Sequence, residues 1–115
     1  MGLNEKLVAA VEPIVSTVRP DMYVPGVGEN IDEWCTYDRD EYPRLMASGA
    51  PRRMLSLYQL HYFCDNGVNP QDKLDALRLA VFRAGFTFPT LTNASDSDGQ
   101  HWVLEFEGSE AVDYG

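Results

Sequence analysis

The sequence is short of positive charge, of cysteine and of histidine, and it has no long apolar run. Nine basic residues stand against 18 acidic ones, a formal net charge of −9, which argues against general electrostatic binding of DNA, RNA or an anionic membrane. After Arg83 no Lys or Arg occurs, while Asp96, Asp98, Glu105, Glu107, Glu110 and Asp113 follow. One side of the folded molecule is therefore expected to be strongly negative. The two cysteines, Cys35 and Cys64, make no zinc site by themselves, and each sits in an apolar, strand-like run; both are expected to be buried free thiols. No stretch approaches the ~20 apolar residues of a membrane helix. The opening MGLNEKLVAAVEP is a polar-flanked amphipathic segment without the form of a signal peptide, so a soluble protein made inside the cell is expected. Gly2 fits a myristoylation site only in part, because Lys6 stands where Ser or Thr is wanted.

The motifs of common chemistry are missing too. There is no G-x-G-x-x-G, no G-x-x-x-x-G-K-[ST] and no H-E-x-x-H. The glycines of Val24-Pro25-Gly26-Val27-Gly28 do not open a helix and so lack the setting for phosphate binding. The only histidines, His61 and His101, have no Ser, Cys or acid at a catalytic spacing; structural roles are expected for both. Asp96-Ser97-Asp98-Gly99 resembles part of a calcium loop. Placing Gly99 at the invariant glycine puts Ala94 at the first ligand position and Glu105 in a strand where that motif needs a helix. A hairpin turn explains the same residues. Glu105 and Glu107 share one strand face at a spacing of two and read as a solvated face rather than a glycosidase pair. Neither an enzyme nor a cofactor is indicated.

What is present is an ordinary globular composition, with 44% hydrophobic and 23% charged residues over 115 positions. That is enough for one domain, 1–115, without repeats or internal boundaries. The clearest element is Asn69 to Phe86. Asn69 suits a helix cap, Pro70 the first helical position, and Asp72 the first turn. Leu74, Leu77, Val81 and Ala84 form one apolar stripe and Gly85 supplies the stop. Leu79 and Phe82 point well away from that stripe. They either widen a buried face covered from elsewhere or form a second apolar flank that meets another subunit.

In chain order, residues 3 to 18 read as a first helix that Pro13 kinks or splits and Pro20 ends, with Asn4 a possible cap. Met22 to Asn30 reads as a loop or short edge strand, and Ile31 to Tyr37 as a strand. Asp38 to Arg53 holds Arg39, Arg44, Arg52 and Arg53, and is broken by Pro43, Gly49 and Pro51; it reads as a long functional or solvated loop. Met54 to Cys64 is expected to be a central strand covered on both sides. Phe86 to Thr92 and His101 to Glu107 form a closing hairpin, its first arm at an edge because of Pro89. The chain from Gly108 onward is expected to fray, leaving 109–115 as a flexible tail. The result is an α+β fold, a mixed or antiparallel sheet carrying an N-terminal helix and a second amphipathic helix in the order α-β-β-(β)-α-β-β.

The run Leu57-Tyr58-Gln59-Leu60-His61-Tyr62-Phe63, the helix ending Ala84-Gly85-Phe86, the acidic turn Asp96 to Gly99 and the His101 to Glu107 strand together resemble the tail-completion proteins of long-tailed bacteriophages. These are the tail terminator, minor capsid and head–tail joining group. The resemblance covers most of the chain in layout, and is least at Asp38 to Arg53. It implies a non-enzymatic virion protein, made in the host cytoplasm, that needs no cofactor. Such a subunit forms a ring, commonly hexameric, on the head-proximal end of the tail. It ends polymerisation of the tail tube protein and presents a surface to the head–tail connector protein, while DNA passes through without specific binding. On that reading Leu79 and Phe82 are candidate subunit contacts, and Arg39, Arg44, Arg52, Arg53, Asp96 and Asp98 lie on loops facing the lumen or tube. A head-side connector or stopper is the neighbouring possibility. A small cellular α+β binding domain, or an enzyme centred on His61, is the possibility from another class.

Overall fold

A computed structural model of the chain describes residues 2–21, 31–47 and 49–111, and leaves aside the side chains of 45–47 and 50–52. The expected loop at Met22 to Asn30 lies outside the described residues. The elements are α1 (Leu3–Val11), β1 (Val18–Pro20), β2 (Glu33–Ala47), β3 (Ala50–Cys64), α2 (Gln71–Arg83), β4 (Thr90–Asn93) and β5 (Gln100–Ala111). The five strands form one mixed sheet in the order β1-β2-β3-β5-β4. β1 runs parallel to β2 and every other pairing is antiparallel. This is the α+β class expected.

The core lies between the helices and one face of the sheet. Leu3, Leu7 and Val11 of α1 and Leu74, Leu77 and Val81 of α2 are buried against Cys35, Tyr58, Leu60, Tyr62, Leu104 and Phe106. Lys73 pins α2 down at its first turn, its Nζ donating to Glu33 Oε1 at 2.6 Å and to the Ile14 carbonyl at 2.7 Å. Glu33 Oε2 in turn accepts from the Tyr62 hydroxyl at 2.6 Å. Gly85 ends α2 with φ +106°, a left-handed conformation that favours glycine. Pro70, expected as the first helical residue, instead stands at the cap position before Gln71 and no side chain caps the helix, although Asn69 Oδ1 accepts the Gln71 N–H at 3.2 Å.

Several boundaries differ from expectation, each for a physical reason. The first helix stops at Val11 rather than near residue 18, because Pro13 removes a helical donor. Ile14 and Val15 then fold back onto the Val11 carbonyl, and Val15 and Val18 still reach the core from a turn and a short strand. Gly2, not Asn4, precedes the helix; the Asn4 side chain instead accepts from the Tyr58 hydroxyl at 2.6 Å.

The largest correction concerns Asp38 to Arg53, which is not a loop. β2 and β3, of 15 residues each, pair from Glu33↔Cys64 to Ala47↔Ala50 as one long ribbon. Its prolines sit where the ladder tolerates them. β1 covers β2 only as far as Tyr37, so Pro43 lies on an edge. β5 covers β3 only as far as Arg53, so Pro51 is beyond the third strand. A bulge between Pro43 and Leu45 leaves Arg44 as the extra residue.

Two further expectations fail. Gly108 to Ala111 continue β5 beside Ser56 to Arg53 instead of fraying, because the long β3 offers them a partner. β3 is central, but helices cover only one of its faces. Its odd-numbered residues look out on the other, and Leu57 there is 37% exposed.

Candidate functional site

The uncovered sheet face carries the side chains that alternate away from the core. At one end Trp34 stacks on Phe63, with ring centroids 5.0 Å apart, and Phe63 stacks on His101 at 4.4 Å. His61 Nδ1 lies 2.8 Å from His101 Nε2, and His61 Nε2 lies 3.4 Å from Asp38 Oδ2. Three strands thus bring Asp38, His61 and His101 into a line. With Asp38 accepting from His61 Nε2–H, the His61 Nδ1 accepts from His101 Nε2–H. Burial, and then the neighbouring His61, hold the His101 imidazole below its ordinary pKa, with Asp96 opposing.

Chemically, this line can pass a proton between strands but ends without a nucleophile. Among the described residues no hydroxyl or thiol bonds to either ring; Ser95 Oγ meets only the His101 backbone. Cys35 and Cys64 are free, buried and on the opposite face, their thiols pushed up by burial. Tyr58, also on that face, has its hydroxyl pushed up to about 12, burial outweighing the Arg39 charge. Sequence reasoning missed the line. Alternation puts His61 and His101 off the core, but only the register, His61↔Val103 and Phe63↔His101, makes them diagonal neighbours.

Farther along the same face is an open trough of about 600 Å³. Its lining combines Asp38, Asp40, Glu105 and Glu107 with Arg39, and includes Leu57, Gln59 and Phe88. Its lining includes neither histidine, but it shares Asp38 with the imidazole line.

Leu79 and Phe82 project from α2 away from the core, 40% and 52% exposed. Phe82 meets Phe88, itself 51% exposed, edge-on at 5.8 Å. The Arg78 guanidinium lies over the Phe88 ring at 5.0 Å. Since Phe88 also borders the trough, one apolar surface wraps from α2 around the edge of the sheet to its open face.

The expected loop arginines separate. Arg39 is an internal brace. Its Nε donates to Ser56 Oγ at 2.8 Å and its Nη2 to Glu110 at 3.0 Å; Nη1 reaches Asn4 at 3.3 Å, and Glu41 pairs with Nη2 at 3.0 Å. It is therefore not offered to a lumen or tube. Arg53 donates to Ser109 Oγ at 2.9 Å near the end of the three-stranded region. Arg44 is exposed. Arg52 belongs to β3 by its backbone, and its side chain lies outside the described residues. Asp96 and Asp98 form an exposed, self-capped turn, in which Asp96 Oδ1 accepts the Asp98 N–H at 2.9 Å and Asp96 bridges to Gly99. Among the described residues no helix is long and apolar enough to cross a membrane. Models of known protein families give no match to the chain, and no curated protein matches it.

Proposed function

We propose that this chain is a structural subunit of a long-tailed phage virion, a tail terminator that forms a ring on the head-proximal end of the tail tube. The observation that carries the reading is the surface of Leu79, Phe82 and Phe88. Three large apolar side chains stand exposed and contiguous on a rigid helix and the strand edge beside it. Monomeric proteins seldom leave such groups together without a partner. Leu79 and Phe82 are already about half buried, so covering the remainder against a neighbour is worth about 1 kcal/mol apiece.

The order of elements supports the same reading, as does a net charge of −9, which lets DNA slide past without sticking. The tail tube protein would meet one side of the ring and the head–tail connector protein the other. Deletion of the gene in the phage or prophage that carries it, followed by electron microscopy of the lysate, tests the role. Over-long tails lying apart from full heads are expected. Normal-length tails beside unattached or leaking heads would move the protein to the head side of the joint. Fully infectious particles would refute a role in the virion.

A further inference from the structure

His61 and His101 are the only two histidines of the chain, and the sheet brings them into contact. They belong to β3 and β5, and the register leaves them diagonal neighbours on the face away from the core. Their ring centroids lie 5.0 Å apart, with the planes tilted by 38°. His61 Nδ1 and His101 Nε2 approach to 2.8 Å. At that spacing the two nitrogens share one proton. A metal ion can take the place of that proton.

The surroundings suit the exchange. Nitrogen ligands held at right angles by bonds of about 2.0 Å lie about 2.8 Å apart, so β3 and β5 need not separate to admit the ion. Asp38, from β2, stands 3.4 Å from the far nitrogen of His61, Nε2. A carboxylate in that position holds the Nε2–H, fixes the tautomer and leaves Nδ1 with a free lone pair. On the hairpin side the charge of Asp96 acts on His101, so acids flank both rings and favour a cation between them. Burial and the neighbouring His61 hold the His101 imidazole below its ordinary pKa, which keeps it in the neutral form that metals require. Phe63 stacks on the face of the His101 ring at 4.4 Å, which leaves the ring edge, where the nitrogens are, uncovered. The His61 side chain is still 18% exposed, so an ion can reach the pair from solvent.

We infer that His61 Nδ1 and His101 Nε2 form a two-imidazole site for a divalent late-transition ion, copper(II) foremost, with Asp38 positioning His61. Among the described residues no group of three or more His, Cys, Asp or Glu side chains is placed to hold a metal, so water completes the shell. Imidazole suits copper, nickel and zinc rather than magnesium or calcium. Copper(II) binds most tightly of these and takes the tetragonal shell whose neighbouring corners have the observed spacing. As the ion binds, the proton on His101 Nε2 is given up and Nδ1 takes one, so the neutral pair loses no net proton. Two metal–nitrogen bonds replace one N–H···N hydrogen bond. The ion thereby ties β3 to β5, which are remote in sequence, and engages β2 through Asp38. This staple across the sheet goes beyond the virion role and stands with or without it.

Titration of the full chain with copper(II) chloride, followed by electron paramagnetic resonance, tests the site. Four proteins are compared, the wild type, His61→Gln, His101→Gln and Asp38→Asn. The wild type binds one ion per chain, and its spectrum carries the splitting of two imidazole nitrogens. Because the chain has no further histidine, each glutamine variant shows one imidazole at most and binds more than about tenfold more weakly. Asp38→Asn keeps the two-imidazole spectrum and weakens binding by about tenfold, as loss of a ligand's hydrogen-bond partner does. Circular dichroism establishes that each variant is folded; should one unfold, the wild-type spectrum decides by itself.

A wild-type spectrum with fewer than two imidazoles overturns the site and leaves an adventitious ion only. A folded histidine variant that binds copper like the wild type does the same. An equimolar mixture of His61→Gln and His101→Gln that regains the two-imidazole spectrum would show the ion bridging two chains, and so would overturn a site within one. Unchanged affinity in Asp38→Asn would overturn the positioning role of that carboxylate.

Discussion

At the scale of single residues, close approach and burial decide more than any catalytic motif. Gly108 sits inside β5 because the Phe86 ring lies over it; an added Cβ would come within 2.8 Å of Phe86 Cδ1 and 3.4 Å of a Leu3 methyl. Gly108→Ala is expected to destabilise the fold by about 1–3 kcal/mol, as overpacking does, which urea unfolding measures. His101 supplies a pH dependence whose sign follows from its lowered pKa. The unfolded chain takes up the proton first, so no penalty exists above the ordinary histidine pKa of about 6.5. The penalty grows as pH falls from there through the folded value. His101→Gln should therefore flatten the loss of thermal stability between neutral pH and about pH 5; an unchanged slope would show that other groups cause it. Trp34 Nε1 is buried without an acceptor among the described residues, an arrangement that costs about 1–3 kcal/mol.

At the scale of elements, the legibility of the chain followed how local the determinants are. The second helix was readable because its acidic first turn, apolar stripe and glycine stop all lie within Asn69 to Phe86. The displacement of Leu79 and Phe82 from the stripe also followed from helical geometry alone. The long ribbon was not readable. Pro43, Gly49 and Pro51 are local breakers, and what makes them tolerable is that β1 and β5 end before reaching them, a fact of tertiary pairing. The same blindness hid the Asp38, His61 and His101 line, whose members lie on separate strands, and made the end of β5 look untethered. Since β1 and β5 pair with the ribbon only as far as Tyr37 and Arg53, replacing the segment from Arg44 to Arg53 with a two-residue Asn-Gly turn between Pro43 and Met54 should leave the body folded. Its unfolding free energy is expected to stay within about 1 kcal/mol of the parent's, as for changes away from packed sites.

At the scale of the whole molecule, length and surface are the informative properties. The Cα radius of gyration is 15.8 Å, against about 13 Å for a compact chain of this size, and the ribbon accounts for the excess. Replacing both Leu79 and Phe82 with alanine should abolish ring formation while leaving a folded monomer. Light scattering after size exclusion, with circular dichroism alongside, checks this. An intact ring from that variant would remove the flank from the interface.

The position of β5 in the sheet has a consequence for synthesis of the chain. β2 and β3 are neighbours in sequence and close by a short local turn, whereas β3 meets β5 only across α2 and β4. Local pairing forms first and long-range pairing is slow. As the chain emerges from the ribosome, the ribbon is therefore complete while the β3 edge from Arg53 to Cys64 still lacks its partner. Such an edge, bearing Tyr58, Leu60 and Tyr62, is a template for pairing with another nascent chain. A product cut short before Gln100 would keep that edge bare and should aggregate, so the twelve residues of β5 guard the solubility of everything made before them.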